Sequence, residues 1–355
     1  SILPSSALFA ALTLVVALAL TPACGGDDGG ASASATTGST SGGSTSEGSA
    51  SSTSSTSGGS GSTSEGSGSG GSGTSGSSGG TTSAGETDTG ATTGGAEPVI
   101  IDGFDHPESA LWDPMGQRWY VSNIGGDPSA KDGNGFIARL AADGAVEAMQ
   151  WATGLDGPKG MGLIGDRLYV CDIDQIRVIN ALDGTLAASV AIDGAVFLND
   201  LVVDAQGALV FSDTGTNTIH RMVPGETPSV VIQDPALHGP NGLTVIGGRL
   251  YVASLGDGGG EGMLFEVGMG SITPIGDLTG QLDGLIGRVD DFLVTDFGGK
   301  LYRAPADGGP VELLRDFVAA DGFMSSADLG YARTLGVIAV PDLLGDKVGL
   351  FTLAP

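Results

Sequence analysis

Four residues with oxygen-bearing side chains recur at one point of an internal repeat and could together bind a cation. They are Glu108, Asn199, Asn241 and Asp283, called the oxygen quartet below. Two carboxylates and two amides, without sulfur or imidazole, are donors that a hard cation prefers. Calcium suits them best because it accepts about six to eight oxygens in flexible geometry; magnesium or manganese could substitute. The quartet therefore predicts a metal site.

The repeat that carries the quartet consists of an apolar segment, a turn with Gly, Asp or Asn, and a second, alternating segment. Six copies can be recognised: HPESALWDPMGQRWYVSN, GPKGMGLIGDRLYVCD, FLNDLVVDAQGALVFSD, GPNGLTVIGGRLYVAS, QLDGLIGRVDDFLVTD and SSADLGYARTLGVIAVPD. The corresponding positions 159, 199, 241 and 283 are 40, 42 and 42 residues apart. A constant period of about 40 residues, with four strands per unit, is typical of a β-propeller.

The two ends of the repeat region predict how the ring closes. Each of the first five units supplies an outermost strand, whereas the sixth unit ends at GLFTLAP with only three strands. The apolar stretch PVIIDGF, just before the first unit, would be the missing fourth strand. The sequence therefore predicts an all-β, six-bladed propeller of four-stranded antiparallel blades over residues 97–355, closed by an N-terminal strand.

Residues before the propeller have the composition of a targeting segment and a tether. The apolar run 7–20 is too short to span a bilayer but suits a secretory signal. The following LTPAC resembles a bacterial lipobox, in which Cys24 would be lipidated; a simply secreted or periplasmic protein is the alternative. We expect a signal peptide over 1–23 and a disordered Gly/Ser/Thr-rich linker over 24–96. Both place the protein in the bacterial cell envelope, lipid-anchored or secreted.

The charge of the propeller excludes one class of partner. After residue 97 there are 34 acidic and 14 basic residues, a formal net charge of −20. Nucleic-acid binding needs a basic surface, so we expect no nucleic-acid partner. The expected partner is a small-molecule substrate, and membrane contact is expected only through the N-terminal lipid. We also expect the chain to be monomeric.

Propeller geometry places the quartet at one mouth of a central channel. The first strand of each blade is innermost, and the starts of the inner strands meet at one end. The loop after each second strand returns to that end, so Ile124–Gly135 and Leu255–Gly262 should surround the mouth. The crossovers that hold His106 and His238 lie there too. The two histidines could shuttle protons or form hydrogen bonds in the rim.

Two repeats depart from an all-oxygen ring. The second has Lys159 at the quartet position, which leaves three alternatives: it binds a carboxylate or phosphate of the substrate, points into the rim, or replaces the metal by pairing with the acids. In the sixth, Ala327 corresponds to Asn199 and Asp328 to Asp200, so this blade lacks a ligand. We interpret Asp200 and Asp328 as groups that orient ligands or cap strand ends.

A set of small residues recurs in the second strands. Cys171 occupies the position held by Ser122, Ser212, Ala253 and Thr295 in other repeats. Because the other repeats place small residues there, we interpret Cys171 as a packed strand residue and not as a catalytic thiol.

The repeat and the quartet together resemble a known family. The motifs PESALWD at Glu108, NDLVVDAQG at Asn199, NGL at Asn241 and DGL at Asp283 are similar to the metal site of the regucalcin/gluconolactonase (senescence marker protein/gluconolactonase/luciferin-regenerating) family. They also resemble that of its relative diisopropyl fluorophosphatase. The resemblance covers essentially the whole propeller. It implies one catalytic divalent cation that polarises a lactone carbonyl or phosphoryl oxygen, with Asp283 as general base or nucleophile.

The residues leave more than one function open. A coordinated cation would lower the pKa of Asp283 and make it a poor base, so direct attack or positioning of water are further roles. The expected function is a metal-dependent hydrolase of a lactone or related ester, with Lys159 and Asp283 as the candidate catalytic residues. The alternative is a non-catalytic propeller that binds a ligand or protein through the same face.

Overall fold

The computed structural model describes residues 97–256 and 262–353. Within these ranges, six four-stranded antiparallel sheets follow one another along the chain. The predicted six-bladed propeller is therefore confirmed. The predicted signal peptide, the lipidation site Cys24 and the linker lie outside the described residues. No helix in the described part of the chain is both long and apolar enough to cross a membrane.

The strands, numbered β1 to β24 in chain order, occupy equivalent positions in the six blades. The inner strands are β2 Pro107–Asp113, β6 Pro158–Ile164, β10 Leu198–Val203, β14 Pro240–Ile246, β18 Leu282–Gly287 and β22 Gly330–Ala332. The second strands are β3 Arg118–Asn123, β7 Arg167–Asp172, β11 Leu209–Asp213, β15 Arg249–Ser254, β19 Asp291–Asp296 and β23 Val337–Asp342. The third strands are β4 Gly135–Ala141, β8 Gln175–Asn180, β12 Thr218–Met222, β16 Gly262–Gly268, β20 Lys300–Pro305 and β24 Lys347–Thr352.

The outermost strands complete the blades. They are β5 Val146–Leu155, β9 Leu186–Ala191, β13 Ser229–Gln233, β17 Ser271–Gly280, β21 Glu312–Asp316 and β1 Val99–Asp102. Two short helices lie between blades, a 3-10 helix over Pro235–Leu237 and α1 over Phe317–Asp321.

The first described strand closes the ring, as the sequence predicts. β1 pairs antiparallel with β24, with Val99 opposite Leu350 and Asp102 opposite Lys347. The last blade therefore has the order β22, β23, β24, β1. Hydrogen bonds between the first and last strands hold the two ends of the propeller together.

Apolar side chains pack between neighbouring blades. Tyr120 and Ile137 of the first blade, for example, form one buried cluster with Met161 and Leu168 of the second. Because side chains alternate along a strand, both faces of a blade contribute to such clusters. This packing fixes the inner strands around the channel.

Each inner strand of the first five blades contains a β-bulge near its start. In β2, pairing passes from Pro107 to Ala110 while the partner strand advances only from Asn123 to Val121. The same irregularity occurs in β6, β10, β14 and β18. A bulge opposes two residues to one and redirects side chains locally. The first bulged residue is in every case the quartet position or its equivalent, Lys159.

A hydroxyl group of the second strand faces three of these bulges. Ser122, Ser212 and Thr295 accept hydrogen bonds, 2.8 to 2.9 Å long, from the backbone N–H of the second bulged residue. Ser212 also donates to the carbonyl of Asn241, and Thr295 to that of Ala327, both on the next blade. These hydroxyls therefore satisfy the donor that the bulge leaves unpaired and join adjacent inner strands.

Cys171 occupies the equivalent position on the second blade. It is fully buried, and its sulfur lies 3.7 Å from the carbonyl oxygen of Asp200. Burial raises the pKa of the thiol well above its ordinary value, which disfavours the nucleophilic thiolate. The structure thus agrees with a packing role for this residue.

Candidate functional site

The structure brings the oxygen quartet together at one level of the central channel. Glu108, Asn199, Asn241 and Asp283 are each the second residue of an inner strand, β2, β10, β14 and β18. All four are buried. Two of them are close enough for the charge of Asp283 to act on Glu108.

One oxygen of each quartet side chain is buried without a hydrogen-bond partner. These atoms are Glu108 Oε2, Asn199 Oδ1, Asn241 Oδ1 and Asp283 Oδ1. The other buried side-chain atoms in this condition, among the described residues, are nitrogens of Trp112, Trp119, Arg139 and His220. An unpaired buried acceptor costs about 1–3 kcal/mol. Four unpaired oxygens at one level of the channel, two of them from carboxylates, fit a divalent cation.

A hydrogen bond donated by its amide nitrogen orients the side chain of Asn199. Asn199 Nδ2 donates to Thr214 Oγ1 at 3.1 Å, and this hydroxyl donates to the carbonyl of Pro240 at 2.7 Å. Asn199 Oδ1 and Asn241 Oδ1 have no partner in the described structure and remain available as ligands.

Burial and mutual repulsion resist ionisation of the carboxyl groups in the channel. Burial, and then the charge of Asp283, raise the pKa of Glu108 well above its ordinary value, while Lys159 acts in the opposite direction. Burial and then Asp200 raise the pKa of Asp283. Burial raises the pKa of Asp200 to about 6, and burial with the charge of Asp200 raises that of Asp328. A divalent cation would favour the ionised forms.

Asp200 and Asp328 connect neighbouring inner strands. Asp200 accepts hydrogen bonds from the backbone N–H of Leu201 at 2.6 Å and from that of Leu243, on the next blade, at 2.5 Å. Asp328 accepts from the Ser109 hydroxyl, across the junction of the last and first blades, at 2.6 Å. Through these hydrogen bonds, Asp200 and Asp328 help to fix the positions of the bulged segments that carry the quartet.

Glycine follows the quartet position where neighbouring inner strands approach most closely. A Cβ atom at Gly242 would lie 2.1 Å from the carbonyl oxygen of Asp283. At Gly284 it would lie 2.6 Å from the backbone nitrogen of Leu329. Any larger residue would push these strands apart, and with them the ligand oxygens.

Lys159 points into the rim, which is one of its three expected arrangements. Its Nζ donates to the carbonyls of Gly157 at 2.9 Å and Pro128 at 3.3 Å, and lies 4.2 Å from the ring centroid of Phe197. Burial lowers its pKa, and the charge of Glu108 partly offsets this effect. Within the described part of the chain, Lys159 forms no ion pair with a carboxylate, so these contacts do not support replacement of the metal.

The two candidate histidines lie in the crossovers that lead to quartet strands. His106 and His238 are both half-buried and both have positive φ, 54° and 51°. Their carbonyls accept from the N–H groups of Ile124, at 3.0 Å, and Gly256, at 2.9 Å, where the two rim loops begin. The histidines therefore lie at the edge of the mouth. Beyond Gly256 the second rim loop is described again only from Gly262.

Solved structures share this architecture. A gluconolactonase from Xanthomonas campestris has a TM-score of 0.55 and 18% identity, over 72% of this chain and 89% of that chain. A catalytically inactive virginiamycin B lyase from Staphylococcus aureus, with quinupristin, has a TM-score of 0.50 and 13% identity, over 72% and 99%. The common feature is the propeller fold. No family model and no curated protein matches the sequence.

Removing divalent ions should make stability fall as pH rises. The quartet carboxyls, Asp200 and Asp328 have folded-state pKa values above their unfolded values. The folded chain then binds more protons, and the free energy of unfolding decreases with pH. The decrease begins near pH 4, passes through the pKa of about 6 of Asp200 and amounts to a few kcal/mol, at about 1.4 kcal/mol per pKa unit.

Thermal melts at pH 5 and pH 8 would measure this loss. In chelator, we expect a clearly lower melting temperature at pH 8, and millimolar calcium should remove most of the difference. A melting temperature in chelator that stays constant or rises from pH 5 to pH 8 would contradict the electrostatic description of the channel.

Replacing Lys159 by methionine should strengthen calcium binding. Lys159→Met removes a buried positive charge that acts on Glu108, and keeps an unbranched side chain of similar size. We expect a severalfold gain in affinity, on the order of 1 kcal/mol, measured by calorimetry. Lys131→Met, an exposed position on the rim loop that Lys159 contacts through Pro128, is the control and should change affinity little. Calcium binding by the variant but not by the native protein would instead show that Lys159 replaces the metal.

Proposed function

We propose that the protein is a divalent-metal-dependent hydrolase that opens a lactone or a related ester. Calcium is the expected ion, with magnesium or manganese as substitutes. The observation that carries the proposal is the set of four unpaired, buried oxygens of the quartet. Their number, chemistry and convergence match an oxygen-only site for a hard cation, with further coordination positions left for water and substrate.

The chain's own residues supply the remaining chemistry. A bound divalent cation would polarise the substrate carbonyl and stabilise negative charge on its oxygen. Asp283 is buried, and its Oδ1 has no hydrogen-bond partner among the described residues. It either orients and deprotonates the attacking water or attacks the carbonyl carbon directly. His106 and His238, at the edge of the mouth, remain candidates for moving protons to and from solvent.

Lys159 contributes through its charge more than through direct contact. Its ammonium is occupied by the Gly157 and Pro128 carbonyls, so direct binding of substrate would require it to leave them. Its field still favours a substrate that carries partial or full negative charge at the mouth. Through Pro128 it also holds the first rim loop in place.

The propeller of the gluconolactonase supports a lactone as the substrate class. That protein shares this fold, and a lactone has an ester carbonyl that a cation bound at the site could polarise. The lyases share the fold as well, so the quartet, and not the fold, is the basis of the proposal.

We further propose that this reaction takes place in the bacterial cell envelope. The apolar run 7–20 and the lipobox-like LTPAC support export and attachment through a lipid on Cys24. The strongly acidic propeller supports a monomeric module that attracts cations and has no nucleic-acid partner.

Removing quartet ligands should abolish metal binding and turnover together. In Asp283→Ala and Asn241→Ala we expect calcium affinity to fall by at least about 100-fold. Loss of a residue that only hydrogen-bonds to a metal ligand already costs up to about that much. Calorimetry and calcium-dependent thermal shift would measure it. Asp290→Ala is a matched surface control because Asp290 is exposed on the same blade, and it should bind calcium normally.

A substrate screen would test the chemistry itself. Aldonolactones, acyl lactones and aryl esters should include at least one substrate whose hydrolysis chelator stops and calcium restores. Asp283→Ala should lack this activity while melting, in chelator, at least as high as the native protein, because it removes a repelling buried charge. No thermal response to millimolar metal would contradict the enzyme proposal and favour a metal-free binding propeller.

A further inference from the structure

A cavity occupies the channel on the side of the ring opposite to the quartet mouth. Its volume is about 570 Å³, within the range of about 300–1,000 Å³ that is usual for small-molecule sites. It is lined by the inner strands after their bulges and by the turns that end them, including Met115 and Arg333. It is therefore separate from the mouth at which the proposed hydrolysis takes place.

The walls of this cavity are apolar. Leu111, Leu163, Val203 and Val245, from the first four blades, are half-buried and line it. At its entrance Met115 is 92% exposed. These side chains suit a ligand with an apolar body, which would remove them from water.

The floor of the cavity is acidic. Asp200 and Asp328 both line it and come from the third and sixth blades, which face each other across a six-membered ring. The charge of Asp200 acts on Asp328. Each carboxyl group has protein hydrogen bonds of its own, and among the described residues neither forms an ion pair. Burial resists their ionisation, and a cation between them would favour the ionised forms.

Arg333, at the entrance, does not neutralise the floor. Its guanidinium donates to the carbonyl of Gly287 and lies 5.3 Å from the ring centroid of Tyr331. It is thus held against the wall, and the cavity has two acidic groups at its floor against one basic group at its entrance.

We propose that this cavity binds a small organic ammonium ion, with its charged group between Asp200 and Asp328 and its apolar chain along the channel wall. The site uses neither the quartet oxygens nor the quartet mouth. The charge of Asp200 nevertheless acts on Glu108 and Asp283, so binding is tested with calcium present. The ammonium group matches the acidic floor of the cavity, and the alkyl chain matches its apolar walls.

Calorimetry with three six-carbon probes tests this proposal. Hexylammonium, hexanol and hexanoate share the apolar chain and differ in charge, and all titrations use the full chain in saturating calcium. We expect saturable binding of hexylammonium at least about tenfold tighter than that of either other probe, as for a hydrogen bond to a charged partner. Equal binding of hexanol or hexanoate, or no saturable binding of the amine, overturns the proposal.

Two variants locate the site. Asp328→Asn keeps an acceptor for the Ser109 hydroxyl and removes the charge, so hexylammonium should bind about tenfold more weakly. Met115→Lys adds a positive charge at the entrance and should also weaken binding, whereas Met269→Lys, on an equally exposed turn outside the cavity, should not. Native-like affinity in both Asp328→Asn and Met115→Lys would contradict the proposal.

Discussion

The site depends on the convergence of the inner strands on one channel, with a bulge at the same point of the inner strand in the first five blades. The bulge frees the quartet position from regular alternation, and the hydroxyls of Ser122, Ser212 and Thr295 satisfy the donors that it leaves unpaired. Glycine at 242 and 284 allows neighbouring backbones to approach closely. The positions of the ligand oxygens therefore follow from backbone geometry that is repeated around the ring.

This geometry has an electrostatic consequence. It buries several carboxyl groups close to one another, raises their pKa values and leaves four oxygens without partners. Lys159, which occupies the quartet position of the second repeat, turns into the rim and donates hydrogen bonds to carbonyl groups there. Among the described residues no basic side chain forms an ion pair with these carboxyl groups, so their ionisation remains unfavourable. A divalent cation would relieve this cost, and the released free energy would both bind the ion and stabilise the fold.

The fold could be predicted because its signal is periodic: copies about 40 residues apart define six blades, and one unassigned strand, β1, closes them. The quartet could be predicted because its members share one point of the repeat. The direction of Lys159 could not, because it depends on where the rim loop places the Pro128 carbonyl. The recurring hydroxyls of the second strands were a visible signal, but without the bulge they indicate only a small packed residue. The opposite cavity depends on channel width, which no motif encodes.

The most direct test of the metal site is a crystal structure of the protein with calcium, with anomalous data collected at long wavelength. We expect one strong peak in the channel, about 2.3 to 2.6 Å from Glu108 Oε2, Asn199 Oδ1, Asn241 Oδ1 and Asp283 Oδ1. Hydrogen-bonded waters on these four oxygens, with no anomalous peak between them at millimolar calcium, would contradict it.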